Sequence, residues 1–519
     1  MLYTLNNIAY LLAVAGIGFA LLYGFFTADR RLIFCLACAF SLPVSIAFLA
    51  PNVLIANVLI GLVMISFWRE RVHFGAIYVF GLITLPLVSQ PVTIASIYLF
   101  DFSFVDAWTV AALIGFLAGG HSRQSRSSAA DALVGIIIIV IYLATIRETS
   151  STNALREFFN FILSYVLPYY IISRSVHGAL QTRSVMLALA GSAVVLSTLS
   201  VYEATHTWPI YRGIWAHYGI ELDKTANVKM RGGVMRSAGP YSEPLSFAFA
   251  MTIGLVALLS IRQELQKRWH YALLCAVVVA GLIAPQGRGA WIGALGALFV
   301  LDLYRRNYRR LTIKAVLIGI AGVIALAVAA MNNRVAVMLG LTAEGQGTLD
   351  YREQLLTRGI EEFWKNPLFG DAIGDVLSNM RDLIQGEGIV DLVNGYLHIA
   401  LISGAVGLFM IILSLVGVAS LFLRARKADR TPRILRDTTA FAFASLIAIA
   451  FMMTGMSIFG RPLIILFIVI ACGVGASRIA LLSDRRGRGT EQNMIDSSDK
   501  GFDEHIGTSR THAQIKANV

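Results

Sequence analysis

In the stretch PQGRGAWIGALG, Arg288 stands between Gly287 and Gly289 where two apolar runs meet. Arginine at mid-bilayer costs about 2.5–3.5 kcal/mol on insertion scales, so the residue belongs at the lip of a membrane. Two roles fit it there. Its guanidinium could snorkel to lipid phosphate. It could instead be a fixed ligand for an anionic substrate, with Gly287 and Gly289 letting backbone N–H groups come close to the anion. A second concentration of such residues is THTWPIYRGIWAHYGIELDKTANVKMRGGVMRSAGPYSEP. It combines Trp208, Tyr211, Trp215, Tyr218 and Tyr241 with Arg212, Lys224, Lys229, Arg231 and Arg236. This segment reads either as an aromatic belt at a membrane interface or as a surface that stacks on sugar rings and pairs with phosphate. Glu243, close behind Arg236 in YSEP, is a candidate general base or an orienting partner for that arginine.

These residues are set among membrane spans. The 519-residue chain is 57% hydrophobic and 14% charged, with a mean hydropathy of +0.69, against roughly 25% charge in soluble domains. A span takes about 20 mostly apolar residues. About 15 such segments follow one another, beginning near Ile8, Leu32, Asn52, Phe74 and Phe104, then Ala129, Glu157, Ser184, Pro244 and Trp269, and finally Gly289, Thr312, Asn394, Thr438 and Pro462. Asp101 and Asp106 interrupt the fifth. The first reads as a retained helix and not a cleaved signal, since no Lys or Arg precedes it. The expected fold class is therefore all-α, a polytopic transmembrane helix bundle of about 14–15 spans.

The formal charge of +12 would suit a nucleic-acid partner, but its distribution points to a bilayer. Alternate connections carry the clusters Arg30/Arg31, Arg69/Arg71, Arg123/Arg126, Arg174/Arg183, Lys267/Arg268, Arg305 to Arg310 and Arg424 to Arg436. The remaining short connections carry only Arg147, Arg156, Arg288 and Arg461. By the positive-inside rule the basic loops face the cytoplasm, which puts the C-terminus inside and, for an odd number of spans, the N-terminus outside. Cys35, Cys38, Cys275 and Cys472 all fall inside apolar segments; CLAC reads as helix packing, and neither a disulfide nor a cysteine metal site is indicated.

The resulting organisation is N-terminal helices over 1–204, a first outer loop over 205–243 and central helices with the Arg-Gly turn over 244–331. A second outer loop follows over 332–393, then C-terminal helices over 394–482 and a polar cytoplasmic tail over 483–519, expected to be disordered. In the second loop, TLDYREQLLTRGIEEFWKNPLFGDAIGD opens with Asp350 and Glu353 at capping-box spacing. Tyr351, Leu355, Ile360, Phe363 and Trp364 recur at helical spacing, and Asn366-Pro367 ends the pattern. This amphipathic helix would lie on the membrane or close over a cavity.

Three ordered segments, MRSAGPYSEPLSFA, QGRGAWIGALG and IVDLVNGYLHIALISGAVGL, with NPLFGDAIG between the last two, resemble the O-antigen ligase and O-antigen polymerase superfamily. The N-terminal spans fit only by hydropathy. The resemblance implies a membrane glycosyltransferase of the broad GT-C type, with a donor glycan on undecaprenyl pyrophosphate presented at the periplasmic face of a bacterial inner membrane. It places Arg236 and Arg288 on the pyrophosphate, a role that guanidinium suits because it stays charged and donates in bidentate fashion. It also makes Arg352, Tyr241, Asn394 and Tyr396 candidates for substrate binding. One departure stands out: where the family often has His before Asn-x-Tyr-Leu, this chain has Val393. Asp391, two residues earlier, is then a candidate base or a helix cap, and His398 a packing residue. No divalent-metal constellation or cofactor motif stands out, so a metal-independent reaction without cofactor is expected. The implied partners are the lipid-linked donor, a growing polysaccharide or lipid acceptor, and proteins that control chain length or flip the donor.

Three functions compete. The first is a polymerase joining lipid-linked repeat units, toward which the replaced histidine leans. The second is a ligase moving finished glycan to lipid A core. The third, of another class, is a transporter or flippase of lipid-linked glycans. Transporters place ionisable groups near the midplane, often in repeated halves. No internal repeat is evident here, and the polar residues gather in two outer loops and one outer turn.

Overall fold

The computed structural model describes residues 2–94, 97–119, 128–220, 228–265, 267–384, 390–428 and 431–484; Arg123, Arg126, Lys224 and the tail beyond residue 484 lie outside them. The first half comprises α1 (Leu2–Phe25), α2 (Arg30–Leu49), α3 (Val53–Ser66), α4 (Phe74–Thr84), α5 (Phe104–Ala118), α6 (Ala129–Thr145), α7 (Ser151–Phe161), α8 (Leu167–Ser175) and α9 (Ala179–His206). The second comprises α10 (Arg212–His217), α11 (Pro244–Ser260), α12 (Arg268–Ile283), α13 (Arg288–Tyr304), α14 (Tyr308–Met331), α15 (Asn333–Leu339), α16 (Ala343–Phe363), α17 (Ile373–Asn379), α18 (Gly395–Ala425), α19 (Arg433–Met452) and α20 (Arg461–Asp484). Two short hairpins, β1 (Ser89–Ile94) with β2 (Ile97–Ser103) and β3 (Met230–Arg231) with β4 (Val234–Met235), are antiparallel.

The protein is 78% helical with almost no sheet, an all-α polytopic helix bundle. Among the described residues, seven helices are long and apolar enough to cross a membrane, and six shorter apolar helices of 10–17 residues stand beside them. Each of the fifteen starts expected from hydropathy falls at or within one of the helices named above, and length separates the seven from the shorter ones. The fifth, expected near Phe104, is the shorter helix α5 (Phe104–Ala118), which Ser103 and Asp106 open with a capping box directly after β2.

At the centre lies α9, whose small residues Ala188, Ala190, Gly191, Ser192 and Ala193 are buried. Small side chains let helix backbones approach closely, the usual basis of packing where lipid offers no hydrophobic drive. Accordingly α1, α4, α11 and α12 all pack on α9, and Ser200 Oγ donates to Gly281 O at 3.0 Å.

Two irregularities shape the end of the bundle at which α13 and α18 start. In α18 the helix breaks at Gly404 (φ 67°, ψ −174°), and the NPLFGD segment fills the break. Ala405 N–H donates to Pro367 O at 2.8 Å, and Asp371 N–H donates to Leu401 O at 2.8 Å. A Cβ at Gly404 would lie 2.2 Å from Leu368 O, so only glycine allows backbone to meet backbone here. The second is α16, which starts at Ala343, so Asp350 and Glu353 lie inside the helix and do not cap it. Leu355 is buried in a cluster with Val376, Met380 and Leu397, against which Tyr351 and Phe363 pack. Ile360 and Trp364, assigned to the same apolar stripe, are exposed. The helix therefore packs over the start of α18.

Candidate active site

Between the turns α12–α13 and α19–α20 and the flank of α16 lies a cavity of about 440 Å³, within the roughly 300–1,000 Å³ typical of ligand sites. The loop between α9 and α11 contributes Lys229, Arg231, Arg236 and Glu243. Gln286, Arg288 and Gly289 come from the turn opening α13, and Tyr351 and Arg352 from α16. Asp391 and Val393 precede α18, and Gly455 and Met456 close the far side.

The arginines are held by backbone carbonyls. Arg236 Nε donates to Pro285 O at 3.0 Å and Arg231 Nη1 to Gln286 O at 3.0 Å, so the first loop straddles the Arg-Gly turn. Arg288 donates through Nε to Met338 O at 3.1 Å and through Nη2 to Val337 O at 3.2 Å, at the C-terminus of α15, where carbonyls carry partial negative charge. Gly340 ends α15 with φ 81°, and a Cβ there would lie 2.0 Å from Arg288 Nη1. From the opposite wall, Arg352 Nη2 donates to Gly455 O at 3.1 Å. Arg352 is exposed at the rim, yet the surrounding protein still desolvates it. That desolvation draws its guanidinium below the ordinary arginine value, against the opposing charge of Asp391.

The carboxylates sit differently. Glu243 is bridged to Lys229 at 3.1 Å. Asp391 is fixed through its backbone: the Tyr351 hydroxyl donates to Asp391 O and accepts from Asp391 N–H, both at 3.1 Å. Capping is not the role of Asp391, because Asn394 caps α18, its Oδ1 accepting from Tyr396 and Leu397 N–H at 3.1 Å. Val393, at the position of the family's histidine, lines the cavity with an isopropyl group.

Of the sequence-derived candidates, Arg236, Arg288, Arg352, Asp391 and Glu243 meet at this cavity. Asn394, Tyr396 and Tyr241 do not line it. The Tyr396 hydroxyl donates to Ala450 O at 2.7 Å, and buried Tyr241 lies under the Arg461 guanidinium, 4.9 Å from the ring centroid. His398 packs on Phe459 with centroids 4.2 Å apart.

Two residues escaped the sequence reading as site components. Glu203, at the end of α9, is 1% exposed and accepts from Ser237 Oγ at 2.7 Å, Gly239 N–H at 3.0 Å and Ile210 N–H at 3.1 Å. It thereby draws together both ends of the loop between α9 and α11 beside Arg236. Gln286 is equally buried, its backbone has φ 55°, and among the described residues neither atom of its side-chain amide has a hydrogen-bond partner. A lone Glu in an apolar run was the signal for the first; a turn glutamine gave none for the second.

The protein is thus a multi-pass membrane protein with fixed cations and carboxylates around a cavity at one end of its helix bundle. Residues 272–412 match the family model described as O-Antigen ligase, which supports an O-antigen ligase/polymerase-like family for this chain and a membrane enzyme of that type acting on polysaccharide. The matched region supplies Gln286, Arg288, Arg352, Asp391 and Val393, whereas Arg236 and Glu243 come from outside it. No curated protein matches the chain.

Proposed function

We propose that the protein is a glycosyltransferase that polymerises a surface polysaccharide from repeat units carried on undecaprenyl pyrophosphate, acting at the periplasmic face of the bacterial inner membrane. The observation that carries this reading is the convergence of Arg236, Arg288 and Arg352 with Asp391 and Glu243 on one cavity. The guanidiniums hold the donor's pyrophosphate. The carboxylate of Asp391 accepts the proton of the acceptor hydroxyl, whose oxygen attacks the anomeric carbon. The bond from that carbon to the phosphate oxygen breaks, and its electron pair leaves on lipid pyrophosphate. Cations already held in place lower this barrier because they need no reorganisation as charge develops. They also take the role a metal would otherwise fill, so the reaction is metal-independent. The orientation follows from the Lys/Arg alternation.

The ligase reading is favoured by the description of the matching family. Val393 in the family's histidine position favours the polymerase.

The test is transfer in proteoliposomes carrying lipid-linked donor. Arg288→Ala should lower product by about 10²–10³-fold, the usual cost of removing one transition-state donor. Arg288→Lys should stay severely impaired, since a point charge does not reproduce the guanidinium fork, and EDTA should leave the rate unchanged. Near-normal transfer by either variant would return Arg288 to a lipid-anchoring role.

A further inference from the structure

At the opposite end of α13 lies a larger cavity of about 740 Å³. The α13–α14 turn contributes Arg305, Arg306 and Arg310, and the end of α18 contributes Arg426 and Lys427. Arg433 and Arg436 come from the start of α19. Among the described residues, the carboxylate lining this space is Asp437, and Arg305 Nη2 already donates to it at 2.6 Å. Arg305 Nη2 also donates to Ser260 O at 3.2 Å, while its buried Nε has no acceptor among the described residues. Tyr304 contributes an aromatic wall, its hydroxyl donating to Phe422 O at 2.6 Å and its ring lying 5.4 Å from the Arg426 guanidinium.

The positive-inside rule is satisfied by cations anywhere in short inner loops. It does not require two separate connections to aim them into one concave space, where like charges repel. A polyanion in that space would offset the repulsion, and guanidinium groups match the oxygen geometry of phosphate. The flanking helix points to the form in which the phosphate arrives. In α14 only Ala329 is buried, and Ile313, Val316, Leu317 and Ile320 are all exposed, so hydrocarbon runs up to the cavity. We propose that this cavity binds the headgroup of an anionic phospholipid, with phosphate among Arg310, Arg433 and Arg436 and acyl chains along α14. Basic pockets between spans are suited to such headgroups. Assignment to the inner leaflet rests on the orientation proposed above; the binding itself does not.

The full-length protein in phosphatidylcholine nanodiscs doped with cardiolipin should retain cardiolipin over phosphatidylcholine by native mass spectrometry. The variant Arg310→Gln/Arg433→Gln/Arg436→Gln should weaken that retention by about tenfold or more, as expected when charge-assisted hydrogen bonds are lost. The control Arg69→Gln/Arg71→Gln/Arg268→Gln, which removes the same charge from other exposed turns, should retain it, and monodisperse elution checks the folding of both. Equal weakening in both variants would reduce the effect to general surface charge and overturn the proposal. So would equal retention of the two lipids by the unaltered protein. Inorganic pyrophosphate forms the second arm: saturable binding that depends on the cavity arginines, without cardiolipin preference, would overturn the lipid in favour of a soluble phosphate.

Discussion

Both ends of the packed pair α13 and α19 are rich in arginine, and the two ends differ in how the arginines are held. At the first cavity, where α13 starts, Arg231, Arg236, Arg288 and Arg352 each donate to a backbone carbonyl, and Asp391 and Glu243 share the space. At the second cavity, where α13 ends, Arg433 and Arg436 are exposed on the first turns of a helix. Fixed cations beside a titratable carboxylate are the parts of a transfer reaction, since they can stabilise a leaving anion and accept a proton. At the second cavity the lining carboxylate among the described residues, Asp437, is already engaged by Arg305. Chemistry is therefore proposed for the end with four lining arginines and recognition for the end with six.

The largest effect expected concerns sidedness. In a background without native cysteines, Trp364→Cys at the exposed C-terminal end of α16, the helix whose Arg352 lines the first cavity, should react with a membrane-impermeant thiol reagent applied from outside. Arg309→Cys, next to Arg310 of the second cavity, should react only after the membrane is opened. Labelling of both from one side would break the comparison at its root.

Next in size is the base. A general base contributes typically about 10²–10⁴-fold, so Asp391→Asn should cut turnover by that order while donor binding persists. Loss of a helix cap cannot explain such a result, because Asn394 fills that position. If Asp391→Asn transfers normally and Glu243→Gln does not, the proton acceptor is Glu243, and its bridge to Lys229 becomes part of the mechanism.

The smallest effect expected is at Glu203, which contacts no substrate in this scheme. Glu203→Gln replaces an acceptor of three hydrogen bonds by an amide whose NH₂ meets donors, at a cost of about 1–3 kcal/mol for an unsatisfied buried group. The apparent Tm should fall, and activity should fall with it through the position of Arg236. An unchanged Tm together with full activity would remove Glu203 from the support of the site.

The contrast between Arg288 and Tyr396 shows where sequence reading stops. A charge in an apolar run is expensive wherever the helices go, so Arg288 reads from sequence as a lip residue that either anchors to lipid phosphate or binds an anion, and only the resemblance favours the anion. Whether a residue at the start of a span faces a cavity or a neighbouring helix depends on helix phase and on what packs beside it. Tyr396 and Asn394 belong to the motif that carries the resemblance, yet one bonds to Ala450 and the other caps its own helix.

Sequence by itself determined that this is a helical membrane protein and that its basic turns alternate. These follow from hydropathy, charge placement and side-chain type, which are properties of single residues and short windows. Only the tertiary structure decided that the first loop straddles the Arg-Gly turn, that Gly340 leaves room for Arg288, and that Gly404 lets NPLFGD complete a broken helix. Those arrangements join carbonyls, guanidiniums and glycines far apart along the chain, and their energies exist only once the backbones are in contact.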